Sequence, residues 1–467
     1  MSDRDIGLIG LGTMGSALAL NIADNGFGVA VWNRKFPRTE TFMAEAADLA
    51  PQMTPAETLE DLVAAIRAPR AIILMIPAGD PVDDMIAKLT PLLDKGDLII
   101  DAGNANFHDS NRRNEETGDI AFLGMGVSGG EEGARNGPSI MAGGEPDRWA
   151  RVEDILKAIA ADYKGEPCAA WLGPKGAGHF VKTVHNGIEY ADMQMIAEVY
   201  GMMRDGLGRS SNDIAQTFAA WNEGQLQSYL IEISGNVADA KDAATDAPLL
   251  DVIVDAAGQK GTGRWTAIEA LHLGAPVPVI DAAVTARNLS SRRSERRDAE
   301  DIFGAEPQSV APEALTDDMM EAALIAGKIL CYAQGFGMIA TASADYGWDI
   351  PLPTVARVWR AGCIIRSSML DDMASALTDA PDRNLMFAPY FADLLKETHG
   401  ALREVVAIAA RHGIATPSLS SGLAYFDTMR TARGTANMIQ GQRDYFGRHG
   451  FERLDTGETG QHGPWAD

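Results

Sequence analysis

Ile6-Gly7-Leu8-Ile9-Gly10-Leu11-Gly12-Thr13-Met14-Gly15, running into Ser16-Ala17-Leu18-Ala19-Leu20-Asn21-Ile22-Ala23-Asp24-Asn25-Gly26, is the stretch on which the fold turns. The short apolar run predicts a buried strand, the glycine cluster a tight turn, and the Ala- and Leu-rich run after it a helix. In that context the spacing of Gly10, Gly12 and Gly15 predicts a dinucleotide phosphate site. Gly10 permits the turn, Gly12 lets the backbone approach a pyrophosphate, Gly15 lets the helix pack on the strand, and the helix N-terminus holds the anion. Asp3 and Asp5 offset Arg4, and the glycines interrupt the apolar run, so it does not read as a secretory signal.

A second strand, Val29-Ala30-Val31-Trp32, follows at the expected distance and ends in Asn33-Arg34-Lys35. A site for NAD places a carboxylate there to hold the ribose hydroxyls; two cations suit a 2′-phosphate instead, so the residues favour NADP. Surface charge at a strand end is the plainer alternative.

The β-branched runs continue as AIILMIPAG, DLIIDAGN, IAFLGMGVSGG and PSIMAGG, alternating with helical patterns, which predicts a parallel sheet with crossover helices. From Gly178 onward the strand runs stop and long helical periods take over. The expected architecture is an α/β Rossmann-type domain over residues 1–177, a large all-α domain over 178–432 and a short C-terminal tail over 433–467.

The chain has 467 residues, enough for two or three domains, with 46% hydrophobic and 22% charged residues. Forty lysines and arginines stand against 65 acidic residues, a formal net charge of −25 that argues against nucleic acid or an anionic membrane surface as a partner. No uninterrupted apolar stretch has the length of a membrane span. An anionic substrate would need a local basic island. Cys168, Cys331 and Cys363 are widely spaced and cannot all pair, which fits a reducing cytoplasm, and no histidine or cysteine spacing suggests a metal site. Met193 and Met195 read as core fillers.

The segment Gly178-His179-Phe180-Val181-Lys182-Thr183-Val184-His185-Asn186-Gly187-Ile188-Glu189-Tyr190 carries the chemistry. Lys182, His185, Asn186, Glu189 and Tyr190 fall within an arc of about 140° on a helix, while Val181, Val184 and Ile188 line another face. One face thus offers an amine, a carboxyl, an amide, an imidazole and a phenol to a single ligand. A solvated face with a Lys–Glu pair is the alternative. Gly187 in mid-helix costs about 1 kcal/mol relative to Ala, which points to close approach by another group. Lys260 lies in Gly-Gln-Lys-Gly-Thr-Gly-Arg, where glycines could free backbone amides for an anion, although a plain exposed turn reads nearly as well. Arg292, Arg293, Arg296 and Arg297 alternate with Ser294, Glu295 and Asp298 as a solvated helix face would.

Through GLGTMG, WNRK, IDAGN, GVSGGEEGARNGPSIMAGG, GAGHFVKTVHNGIEYADMQ, GQKGTGRWT and QRDYFGRH, the chain resembles the decarboxylating 6-phosphogluconate dehydrogenases over essentially its whole length. The resemblance implies oxidation and decarboxylation of 6-phosphogluconate with NADP, a step of the pentose phosphate pathway, in a homodimer whose tail inserts into the partner subunit. It implies that Lys182 is the general base and then the acid toward the C3 oxygen, and that Glu189 protonates C1. For the coenzyme it implies Gly10, Leu11, Gly12, Thr13, Met14, Gly15, Asn33, Arg34, Lys35, Ile76, Pro77, Ala78 and Asn104. For the sugar acid it implies Asn104, Ser128, Gly129, Gly130, His185 and Asn186. For its phosphate it implies Tyr190, Lys260, Thr262 and Arg287, joined by Arg443 and His449 from the partner's tail.

The chain departs from the family pattern in two places. Pro77 stands where a polar or basic residue is common, removing a backbone donor, and Lys175 stands where an acidic residue is common. Two rival readings share the motifs: a β-hydroxyacid dehydrogenase acting on a small unphosphorylated acid, whose relatives are much shorter, and a catalytically silent NADP-binding regulator.

Overall fold

The structure, a computed structural model, describes residues 3–259, 261–304 and 307–466. Its N-terminal part is an eight-stranded sheet formed by β1 (Ile6–Ile9), β2 (Val29–Trp32), β3 (Met53–Pro55), β4 (Ala71–Leu74), β5 (Leu98–Asp101), β6 (Ala121–Val127), β7 (Ile140–Ala142) and β8 (Ala169–Trp171). The spatial order is β8-β7-β6-β5-β4-β1-β2-β3. Pairing is parallel except between β6 and β7, so the sheet is parallel from β3 to β6 and reversed at β7 and β8. The sequence reading is thus corrected at one edge. It also passed over β3 and β8, three-residue strands too short to show a period.

β1, β4 and β5 are buried throughout, as central parallel strands covered by helices on both faces must be. One apolar cluster on each side of the sheet supplies that cover. The strand order reverses beside β1, where the chain leaves toward β2 on one side and β4 lies on the other. The ends of β1, β4 and β5 therefore open a crevice at which their following loops meet.

Beyond the turn at Gly173–Gly176 the chain is helical, around a single large core. Helix Ala177–Gly201 runs through its centre, packed against β6, β7 and helices Thr262–Leu273, Pro278–Ser290 and Asp317–Tyr346. The last of these is long and apolar enough to cross a membrane by composition, but 89% of its most apolar window is buried inside the fold, so packing accounts for its character. Met195 is core, as read from the sequence; Met193 is not, being 41% exposed with its Sδ 3.4 Å from an Arg287 nitrogen.

The stretch after Ala432 is more ordered than a polar, glycine-rich composition suggests. It contains helix Ala436–Gly447 and folds on itself around Asp444, whose buried carboxylate accepts from the Gly450 and Gly463 amides, the Trp465 indole and His462. Met438, Ile439, Tyr445, Phe446 and Leu454 remain exposed on this unit.

Candidate active site

The glycine turn is built by contact as much as by conformation. Gly10 has φ of 103°, and a Cβ there would lie 2.4 Å from the Met75 carbonyl oxygen; one on Gly15 would lie 1.8 Å from the Gly10 oxygen. Gly12 faces open space and leads helix Thr13–Asp24, whose N-terminus has no side-chain cap and no acidic residue in its first turn. Thr13 is exposed, Leu11 buried and Met14 between the two. Free helix-terminal amides beside open space suit an anionic pyrophosphate.

Asn33 closes the turn from the second strand, its Oδ1 accepting from the Leu11 amide at 3.1 Å. Arg34 and Lys35 are exposed beside it. Arg38, which the sequence reading passed over, reaches back to the same turn, donating to the Leu11 carbonyl at 2.9 Å and the Ser16 hydroxyl at 3.0 Å. On the other side, Ile76 touches the space above Gly10, Pro77 is exposed and Ala78 leads to Gly79. The residues present thus fit a dinucleotide carrying a further phosphate.

The polar arc of helix Ala177–Gly201 is buried, not solvated, apart from the half-buried Glu189. Lys182 is 7% exposed and His185 fully enclosed. Lys182 Nζ donates to Asn186 Oδ1 at 2.8 Å and to Ser128 Oγ at 3.2 Å, and lies 3.2 Å from His185 Nδ1. His185 Nε2 is 3.2 Å from the same serine oxygen. With Nδ1 facing the ammonium as acceptor, the imidazole proton sits on Nε2, Ser128 Oγ accepts twice, and its own proton is free to donate outward. Asn186 Nδ2 donates to Asn104 Oδ1 at 3.3 Å, joining the helix to the loop after β5.

β6 makes room for this cluster. A Cβ on Gly126 would lie 2.5 Å from Lys182 Cβ, so the lysine stem rests directly on strand backbone. At the strand's end Gly129 (φ 104°) and Gly130 (φ 62°) turn the chain, and a Cβ on Gly129 would meet the Gly362 carbonyl at 2.5 Å. The segment around Gly362 therefore closes the site from behind, with Trp359 edge-on to His185.

Burial pushes the Lys182 ammonium down from its ordinary range, against the pull of Glu189. It pushes the Glu189 carboxyl up, against Lys182 and Arg287. His185 is held well below its usual range by burial and then by Lys182, and so stays neutral. An amine eased toward neutrality and a carboxyl eased toward protonation, with Glu189 Oε2 3.8 Å from His185 Nδ1, are a base and an acid facing one space.

Gly187 explains itself: a Cβ there would lie 2.6 Å from Thr266 Cγ2, and Thr266 donates to the Thr183 carbonyl at 2.7 Å. A turn further on, Tyr190 lies flat on Gly263, and the Arg287 guanidinium stacks on its ring at 3.5 Å. Thr262 begins the same helix as Gly263 and is buried. Arg287 also donates to the Gly258 carbonyl at 3.4 Å, docking the glycine-rich turn onto helix Pro278–Ser290. Tyr190, Thr262 and Arg287 are thus brought together. Lys260 lies outside the described residues. Arg443 and His449 are exposed on the tail, Arg443 bonded to Gln440 of its own helix and His449 packed beside Phe446; neither has a described contact with the Lys182 cluster within one chain. Lys175 pairs with Glu115 at 2.7 Å, fastening the turn before the Lys182 helix to helix Phe107–Glu116. The arginine run 292–297 is exposed, as expected, with Arg292 on Glu295 and Arg296 on Asp255. Among the described residues no group of His, Cys, Asp or Glu is placed to hold a metal ion.

A nucleotide turn on an open α/β sheet, with a buried lysine and a half-buried carboxyl on a helix of a second domain, defines a dinucleotide-dependent oxidoreductase. Residues 5–173 match the family described as the NAD binding domain of 6-phosphogluconate dehydrogenase, and residues 178–465 the 6-phosphogluconate dehydrogenase C-terminal domain. The chain is 46% identical over 462 residues to the NADP(+)-dependent decarboxylating 6-phosphogluconate dehydrogenase of Bacillus subtilis, covering 97% of this chain and 98% of that one. It is 45% identical over 458 residues to the NAD(+)-dependent decarboxylating enzyme of the same organism, covering 97% of each. The solved structure of Plasmodium falciparum 6-phosphogluconate dehydrogenase, determined alone, with its cofactor NADP+ and with its substrate 6-phosphogluconate, superposes with a TM-score of 0.95 at 40% identity, covering 99% of this chain and 100% of that one. This chain belongs to the decarboxylating 6-phosphogluconate dehydrogenase family, as its motifs led one to expect.

Proposed function

We propose that the protein converts 6-phosphogluconate to ribulose 5-phosphate and carbon dioxide while reducing NADP, with Lys182 as base and then acid and Glu189 as the second acid. The observation that carries this is the buried Lys182, its ammonium depressed by burial and aimed by Asn186 and Ser128. An unperturbed lysine needs about 4.6 kcal/mol to be neutral at pH 7, and desolvation supplies this in the direction required.

The coenzyme, when bound, accepts the C3 hydride. Lys182 takes the C3 hydroxyl proton as the carbonyl forms, leaving a β-keto acid. As the C1 carboxylate departs as carbon dioxide, the Lys182 ammonium returns its proton to the C3 oxygen and stabilises the enolate charge there. Glu189, whose carboxyl burial eases toward protonation, gives its proton to C1 of the enediol. Ser128, with its proton free, and Asn104 and Asn186 orient the sugar acid, while Tyr190, Thr262, Lys260 and Arg287 receive the phosphate. Arg443 and His449 complete that island from the partner of a homodimer; the exposed apolar side chains on the self-contained tail support this. Arg34 and Lys35 favour NADP over NAD by offering charge to the 2′-phosphate. The three free, buried cysteines suit a cytoplasmic enzyme.

The test is coenzyme reduction at neutral pH with 6-phosphogluconate or gluconate, each with NADP or NAD. The expected result is efficient reduction only with the phosphorylated acid and a clear preference for NADP. Turnover of unphosphorylated acids alone would reject the substrate assignment, and equal use of the two coenzymes would reject the preference.

A further inference from the structure

We propose that Arg113 is a positioning residue that locks the coenzyme-side loop at residues 76–79 to the turn bearing Asn104, and through that turn to Lys182. The inference rests on the function proposed above and concerns a side chain outside the residues assigned there to either ligand.

Arg113 lies on helix Phe107–Glu116 and is 1% exposed, in a sheet domain that has no need to bury a guanidinium for packing alone. Four of its hydrogen bonds go to three acceptor residues. Nε and Nη2 grip Asp83 at 2.7 and 3.1 Å, Nη2 also donates to the Gly79 carbonyl at 3.0 Å, and Nη1 donates to Asp101 at 3.0 Å. Gly79 ends the loop that carries Ile76, Pro77 and Ala78, and Asp83 lies in the first turn of the helix that follows. Asp101 is the fully buried last residue of β5, and its other oxygen accepts from the Gly103 amide at 3.1 Å. Gly103 abuts the Ile76 carbonyl so closely that a Cβ would lie 3.0 Å from it.

The path continues without a gap. Asn104 accepts from Asn186, and Asn186 accepts from Lys182. One buried fork therefore fixes the relative placement of two loops that approach the coenzyme from adjacent strands, and the second loop also fixes the amide that aims the base. Lysine has a charge but no fork, so it cannot hold Asp83, Gly79 and Asp101 together. Removal of the arginine would leave Asp101 buried without its cation.

The test is a double-mutant cycle on the full-length protein, reading the NADP dissociation constant by calorimetry together with that of 6-phosphogluconate measured without coenzyme. Arg113→Lys should weaken NADP by about tenfold or more, the scale of one charge-assisted hydrogen bond, and should weaken 6-phosphogluconate by less, because the sugar acid meets only the Asn104 side of the lock. Asn104→Ala should weaken NADP too, and the double variant should be no weaker than the worse single variant, because both changes release the same turn. Asp83→Asn, which keeps the Asp101 pair, replaces Arg113→Lys in the same cycle if that variant fails to fold, with a smaller loss. Independent effects that multiply, or unchanged NADP binding by folded variants, would overturn the proposal while leaving the reaction assignment intact. A wild-type protein that bound no NADP would overturn both.

Discussion

Lys182 and Asn186 stand one turn apart on a single helix, and the lysine ammonium donates to the amide oxygen across 2.8 Å. That bond holds the buried amine beside Ser128 instead of leaving it to sample its rotamers. Lys182→Met should therefore remove both the proton acceptor and the later donor. The expected loss in kcat/KM is about 10³-fold or more, with NADP binding retained by calorimetry. Retained turnover would move the base elsewhere.

Under the proposed mechanism Lys182 acts only after losing its proton, so the acid limb of the kcat/KM profile should report it. Its pKa lies below a lysine's usual 10.5, chiefly through burial, and Glu189 opposes the shift. Glu189→Gln removes that opposition, so the limb should move to lower pH in the residual activity. A limb that stayed in place would show that Glu189 does not face Lys182 electrostatically. The stability sign follows from the same shift. The folded state binds fewer protons than the unfolded state between the depressed pKa and the ordinary one, so this group makes stability rise with pH across that window, and Lys182→Met should flatten the slope.

Arg34 should matter for one coenzyme only. Arg34→Ala is expected to weaken NADP by roughly 10- to 100-fold, the worth of hydrogen bonds to a charged phosphate, and to leave NAD little changed. Steady-state kinetics with both coenzymes checks this, and equal losses for both would assign Arg34 to a general structural role.

Gly187→Ala would gain about 1 kcal/mol of helix propensity but drive a methyl into Thr266, which is buried and pinned by its bond to the Thr183 carbonyl. The expected net effect is a loss of roughly 1 to 2 kcal/mol from overpacking, read as a lower denaturant midpoint. An unchanged or raised midpoint would mean that the two helices can separate without cost.

The proposed supply of Arg443 and His449 from the tail to a partner predicts that truncation after Ala432 abolishes tight 6-phosphogluconate binding while NADP binding survives. Sedimentation should show a weakened dimer as well. Intact substrate affinity in the truncated chain would rule out the tail.

The nucleotide turn and the Lys182 arc were legible because both obey local rules: glycine spacing beside a strand, and helical period. Gly187 was legible as an anomaly, and Thr266 supplies its cause. The reversal at β7 and the short strands β3 and β8 were not legible, since direction and pairing depend on partners far away in sequence. Nor was the Asp101–Arg113 contact, although Phe107, Ser110 and Arg113 recur at three-residue spacing and share a buried face. That spacing would have placed an arginine inside, but nothing local says which carboxylates wait there. Arg443 and His449 carry no local signal at all; only the resemblance named them.

The most direct measurement is to follow the label from 6-phosphogluconate carrying ¹³C at C1 through one turnover with NADP. The expected result is one labelled carbon dioxide released per NADPH formed, with an unlabelled pentulose phosphate left behind. NADPH formed with the label retained in a six-carbon product would contradict the account, and so would the absence of NADPH despite bound NADP.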